Sequence, residues 1–223
     1  MAFIDDLTLI LDLLILVTTA VFYTALTVWF EFHRKDYVRS YTHLREGAVL
    51  IGLLGLLLGF FAIWGEITWP ITGFPTATSY DLFFFDVLVM LSLLLVAFAV
   101  TVRMKLPTHF VGMLGVVIGL GVLFYGFRAY QLNLTKDPFE TLLMYLAFGA
   151  MAILSYPVTL FVDWFVVGPQ VPGADPLPSA PHPTYPKVWI ALIGLFMAVV
   201  FLAGLAAVLY GISTAWAHIG APP

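Results

Sequence analysis

The chain has 223 residues, 62% of them hydrophobic and 10% charged, with a mean hydropathy of +1.03. A water-soluble fold carries about a quarter charged residues and could not hide so much apolar surface at this size, so the solvent is lipid. The net charge of −4 without a basic tail argues against nucleic acid as a partner, and the absence of Cys excludes disulfides, thiolate metal sites, iron–sulfur clusters and Cys nucleophiles.

A spanning helix needs about 20 mostly apolar residues. Six runs meet that length: Leu7–Phe30, Glu46–Trp64, Leu82–Val102, Phe110–Tyr130, Phe139–Val162 and Val188–Trp216. They predict an all-α, polytopic integral membrane protein, one bundle of six transmembrane helices in a single domain. The N-terminal Met-Ala-Phe-Ile-Asp-Asp lacks the basic region of a cleaved signal, so the first run reads as a retained span.

Basic residues set the expected orientation. Arg34, Lys35, Arg39, Arg45, Arg103, Lys105 and Lys187 fall on one side of a six-span topology, and only Arg128 and Lys136 fall on the other. The first group belongs in the cytoplasm, which places both termini outside and predicts a multi-pass protein of the cell membrane.

The connections differ in kind. Glu31–Arg45 is charged and Tyr-rich and reads as an interfacial helix or turn. Arg103–His109 is a tight link broken by Pro107. Asp137-Pro138-Phe139-Glu140 reads as a helix start, with Asp137 as N-cap, Pro138 at the first helical position and Glu140 closing a capping box. Segment 168–187 holds seven of the 14 Pro and reads as an extended cytoplasmic linker before the last helix.

Gly55-Leu-Leu-Leu-Gly59 and Gly115-Val-Val-Ile-Gly119 are GxxxG patterns, which let helix backbones approach closely in lipid. Pro157 is expected to kink span five, with Ser155 or Thr159 meeting backbone groups released there.

Ionisable groups inside a span are costly, and few are present. Asp12, Asp86 and Arg128 all lie toward the outer face. Asp86 and Arg128 share a depth and are expected to pair. The pair reads first as a lock between helices; the functional alternative is an anion or proton site. Glu66, Tyr80, Asp81 and Tyr125 form a candidate polar cluster at that face. Asp81 or Ser79 is expected near a helix N-cap. Asp163, beside Trp164, reads as a residue meeting the interface. The six Trp lie near span boundaries and read as interfacial anchors.

None of the five His falls at mid-membrane, which argues against a bis-His haem b in the core, and no cofactor is expected. His33, His43, Glu46 and His109 could gather as a cytoplasmic metal site, although their spacing matches no ligand signature and surface His is the simpler reading. No nucleophile elbow, phosphate loop, dinucleotide fingerprint or zinc-protease helix is present.

The stretch Trp64–Asp86 contains Trp-Pro, then Gly, then Ser-Tyr-Asp ahead of a Phe-rich helix bearing Asp86. It resembles the uncharacterised archaeal and bacterial membrane proteins grouped as domain of unknown function 981, over about Thr42 to Trp164. That resemblance implies a small polytopic membrane protein and supplies no activity or functional residues. Three functions remain open: a non-catalytic or accessory subunit of a larger membrane complex, partnered by lipids and by other subunits or further copies; a transporter or channel for a small solute or protons; and a quinone-linked oxidoreductase component. The first rests on scarce intramembrane charge, small-residue packing faces and high aromatic content.

Overall fold

The computed structural model describes the backbone of residues 6–68, 77–135, 137–167 and 185–220, with the side chains at 6–8, 77–82, 167, 213–215 and 217–220 excepted. It is all-helical: α1 (Asp6–His33), α2 (Tyr37–Thr68), α3 (Ala77–Arg103), α4 (His109–Gln131), α5 (Pro138–Phe161), a π-helical extension of α5 (Val162–Val167), and α6 (Lys187–Gly220). All six α-helices are long and apolar enough to cross a membrane. Each packs on its successor, and α6 returns to α1, so the helices close into a ring. The α3–α4 seam is the loosest of the six.

The helices begin earlier than hydropathy alone predicts. Tyr37–Arg45 is no separate interfacial element but the first turns of α2. Asp36 makes that start possible: its Oδ1 accepts the Arg39 N–H at 3.0 Å, which satisfies an otherwise orphaned donor of the first turn. Ser40, fully buried, donates its hydroxyl to the Val28 carbonyl at 2.9 Å and ties this turn to α1. Likewise α3 starts at Ala77, so Ser79 and Asp81 lie inside the helix rather than at its cap. Residues 69–76, the tip of the Trp64–Asp86 stretch, and 168–184, most of the proline-rich linker, lie outside the described residues.

Three helices end the same way. After α1, the Asp36 N–H bonds to the Glu31 carbonyl and the Lys35 N–H to the Phe32 carbonyl, with Lys35 at φ 64°. Lys105 (φ 57°) does the same after α3, and Asn133 (φ 50°) after α4. This is the paired C-terminal motif that usually employs glycine.

The expected capping box at α5 does not form. Asp137 and Pro138 do occupy the cap and first helical position, but no side chain caps there. The Asp137 carbonyl instead accepts both the backbone N–H and the hydroxyl of Thr141. Farther along α5, Ser155 and Thr159 donate to the Ala152 and Tyr156 carbonyls, and the helix widens into its π extension one turn past Pro157.

Two close interfaces brace the ring. Gly55 and Gly59 face α3, where an added Cβ would meet Leu95, Val96 and Ser92. Gly115 and Gly119 face α5, where an added Cβ would lie 2.8 Å from the Ala152 carbonyl and 2.6 Å from the Gly149 carbonyl. At the α4–α5 interface backbone occupies the space a side chain would need, which is why only glycine fits there; at the α2–α3 interface side chains of α3 occupy it.

Candidate functional site

The end of the bundle bearing Arg34–Arg45 and Arg103–Lys105 is called the basic end below. At the opposite end the anticipated ion pair is replaced by a different contact. Asp86 Oδ2 accepts the Tyr125 hydroxyl at 2.6 Å, joining α3 to α4. Arg128, one turn farther along α4, is exposed and donates from Nη1 to Gln131 Oε1 at 3.3 Å. No ion pair joins Asp86 to Arg128 among the described residues. A phenol satisfies the carboxylate without burying a guanidinium, and the long Arg side chain keeps its head at the helix end. Glu66 is half-buried and close enough to Tyr125 to act on it electrostatically. The side chains of Tyr80 and Asp81 are outside the described residues.

Two further polar contacts tie helices together nearby. Tyr145 of α5 donates to the Phe83 carbonyl of α3 at 2.9 Å and stacks on the Phe83 ring, with centroids 4.7 Å apart. The Thr141 hydroxyl lies 2.9 Å from that of Thr135 and 3.0 Å from the Tyr210 hydroxyl, which brings α6 onto α5.

The most elaborate polar site is at the basic end, where the sequence suggested only an interfacial carboxylate. Asp163 projects from the π extension onto the first turn of α4. Its Oδ1 accepts the Thr108 N–H at 2.9 Å and the Thr108 hydroxyl at 2.8 Å. Its Oδ2 accepts the His109 N–H at 2.9 Å and lies 2.7 Å from His109 Nδ1. Thr108 is 1% exposed and caps nothing with its own side chain, so a carboxylate 55 residues away supplies the cap. A negative charge there also suits the positive end of the helix dipole.

The anticipated cytoplasmic cluster does not assemble. His109 is engaged by Asp163, His43 Nδ1 lies 3.4 Å from Glu46 Oε2, and the His33 ring packs 4.2 Å from Trp29. No group of three or more His, Cys, Asp or Glu suited to a metal ion occurs among the described residues.

Above this clamp, inside the basic half of the ring, is a cavity of about 130 Å³ lined by residues of all six helices. Val21, Ala25, Leu94, Phe98, Val111 and Phe196 are among its walls. The hydroxyls of Thr24, Ser155 and Thr159 on its lining all donate to carbonyls of their own helices, which leaves a dry surface.

The outward face of α1 mixes polar residues with exposed Leu16, Leu26 and Phe30. Asp12, Thr19 and Tyr23 are exposed, and Tyr23, near the middle of the span Leu9–His33, is 65% exposed. The corresponding outward positions of α2, α4 and α6 are Leu, Ile, Val, Phe and Met, for example Leu56, Val117 and Leu205. Of this stripe only Asp12 stands out in the sequence; Thr19 and Tyr23 become notable once the packing fixes which face looks outward.

A bundle of six helices each long and apolar enough to cross a bilayer marks a multi-pass membrane protein. The chain belongs to the family described as a protein of unknown function, DUF981, whose match spans residues 1–221 and so includes the first and last helices as well as the central stretch. No curated protein and no solved structure matches the chain.

Proposed function

We propose that this protein is a non-catalytic, accessory subunit of a larger membrane complex, docked through the outward face of α1. The observation that carries this reading is the exposure of Asp12 and of Tyr23, the latter near the middle of the span; the Thr19 hydroxyl between them donates to the Ile15 carbonyl of its own helix at 2.8 Å. Lipid chains offer a carboxylate or phenol nothing to bond, whereas a neighbouring helix does, and polar side chains are a recurrent means of joining helices in bilayers. The partner is another subunit or a second copy of this chain. The excess of basic residues at one end supports placing that end in the cytoplasm of the cell membrane.

The internal carboxylates fit the same reading. Asp163 spends both oxygens on α4, and Asp86 receives Tyr125. Such contacts join helices and favour a holding role over solute passage. Purification of the tagged protein from its native membrane, in the mildest detergent that extracts it, tests the proposal. Stoichiometric co-purification of membrane chains, or a stable homo-oligomer, is the expected result. A partnerless monomer that transports a solute on reconstitution, or one carrying its own haem or flavin spectrum, would overturn it.

A further inference from the structure

We propose that the ring cavity holds the end of one acyl chain of an anionic phospholipid, which enters between α3 and α4 with its headgroup beside Arg103 and Lys105. The inference is independent of what covers α1.

The chemistry of the walls sets the class of occupant. The lining is hydrocarbon and aromatic, and its hydroxyls are already bonded within their own helices, so water would find no partners there. A cavity of about 130 Å³ is close to the size, about 150 Å³, at which a dry apolar site in a protein takes up a benzene-sized guest. A chain end of several carbons is such a guest, and the surrounding bilayer supplies it at high concentration.

The geometry sets the route. Toward the basic end the cavity is closed by rings: Phe161 packs 5.8 Å from Trp29, 5.1 Å from Phe32 and 6.0 Å from Trp189. Toward the other end the ring narrows to a cavity of only about 20 Å³ between Phe84, Leu88, Leu91 and Phe148, all buried. The α3–α4 seam between these two closures is the loosest in the ring. The wall residues Phe98 of α3 and Val111 of α4 are only half-buried. One turn below it lies the α3–α4 connection, where Arg103 and Lys105 are both exposed. Two cations at the mouth of an apolar cavity match a phosphate-bearing headgroup attached to a hydrocarbon chain.

Photolabelling provides the test. The full-length protein is reconstituted in phosphatidylcholine vesicles containing a trace of phosphatidylglycerol with a diazirine near the end of one acyl chain, and labelled residues are read by peptide mass spectrometry. The proposal expects labels on inward residues such as Val21, Ala25 and Phe196, besides the unavoidable labels on lipid-facing Leu53 and Leu56. Ala25→Phe, which fills the space, should lower the inward labels about tenfold while leaving the Leu53 and Leu56 labels unchanged as an internal control of folding. The double variant Arg103→Gln, Lys105→Gln should lower inward labelling by the anionic probe toward that of a phosphatidylcholine probe. Labels confined to lipid-facing residues of the wild-type protein would overturn the proposal. So would inward labelling by a diazirine isoprenoid alone, or inward labelling indifferent to headgroup charge and to the double variant.

Discussion

Thr108 and Asp163, 55 positions apart, are joined by two hydrogen bonds to one carboxylate oxygen: 2.9 Å from the Thr108 backbone and 2.8 Å from its hydroxyl. The other oxygen serves His109. The α4 N-terminus is thereby fastened to the end of α5 at a point where Asp163 is only 12% exposed. Asp163→Ala leaves the Thr108 and His109 N–H groups without their acceptor, while the Thr108 hydroxyl keeps the Thr159 carbonyl at 3.2 Å, and is expected to cost about 3 kcal/mol. Thr108→Val should cost about 1–2 kcal/mol, and the double variant should lose less than the sum, with a coupling of about 1–3 kcal/mol. Denaturation in detergent micelles measures all three.

Asp86 and Tyr125 form a second lock, and Arg128 stands outside it. Tyr125→Phe should destabilise by about 1–2 kcal/mol and couple to Asp86→Asn. Arg128→Gln should change stability by no more than about 0.5 kcal/mol, as for other exposed positions. A coupling between Asp86 and Arg128 larger than that between Asp86 and Tyr125 would restore the ion pair suggested by their common depth.

The glycines separate into required and dispensable. An added Cβ at Gly119 lies 2.6 Å from the Gly149 carbonyl and 3.0 Å from the Ile153 backbone nitrogen, and backbone cannot yield cheaply. Gly119→Ala should therefore cost about 1–3 kcal/mol. Nothing lies within 4 Å of a Cβ at Gly194, so Gly194→Ala should be neutral or stabilising by up to about 1 kcal/mol through helix propensity. The melting temperatures of the two variants should move in opposite directions or differ widely.

Lys35 and Lys105 hold left-handed backbone at φ 64° and 57°. A side chain there costs about 1–2 kcal/mol that glycine avoids. Lys35→Gly should raise stability by roughly 0.5–1 kcal/mol, read from the same denaturation curves.

Tyr185, just outside α6, packs against Phe32, Phe161 and Phe165, and burial raises its phenol above the usual value of 10.0. The neutral form is the one the fold prefers. Its contribution is complete below pH 10 and is lost as pH rises through the raised folded value. Tyr185→Phe should remove part of the alkaline loss of stability, measured as melting temperature above pH 10.

The six spans were legible because the bilayer imposes length and hydropathy on every crossing segment, and all six predicted runs lie largely within the helices found. What a helix does around its axis was not. Asp86 and Arg128 share a depth, yet depth carries no azimuth, and Tyr125 one turn earlier on α4 takes the inward position. Asp163 could not be recognised as a cap because the helix it caps begins 55 residues before it, and local capping patterns describe only neighbours. Asp36 was within reach of such a pattern, but the charged run after it hid a helix start. The polar stripe of α1 is spaced along one face, and only the packing of α2 and α6 against α1 reveals that this face is left uncovered.

That stripe bears most on what the protein does, and Tyr23 is its most diagnostic member. A photocrosslinking amino acid placed at position 23 in the native membrane reports what lies against it; the same group at Phe124, an exposed apolar position on α4, serves as the lipid-facing control. The account predicts a discrete protein adduct from position 23, to another membrane chain or to a second copy, and lipid adducts alone from position 124. Lipid adducts alone from both positions would contradict it.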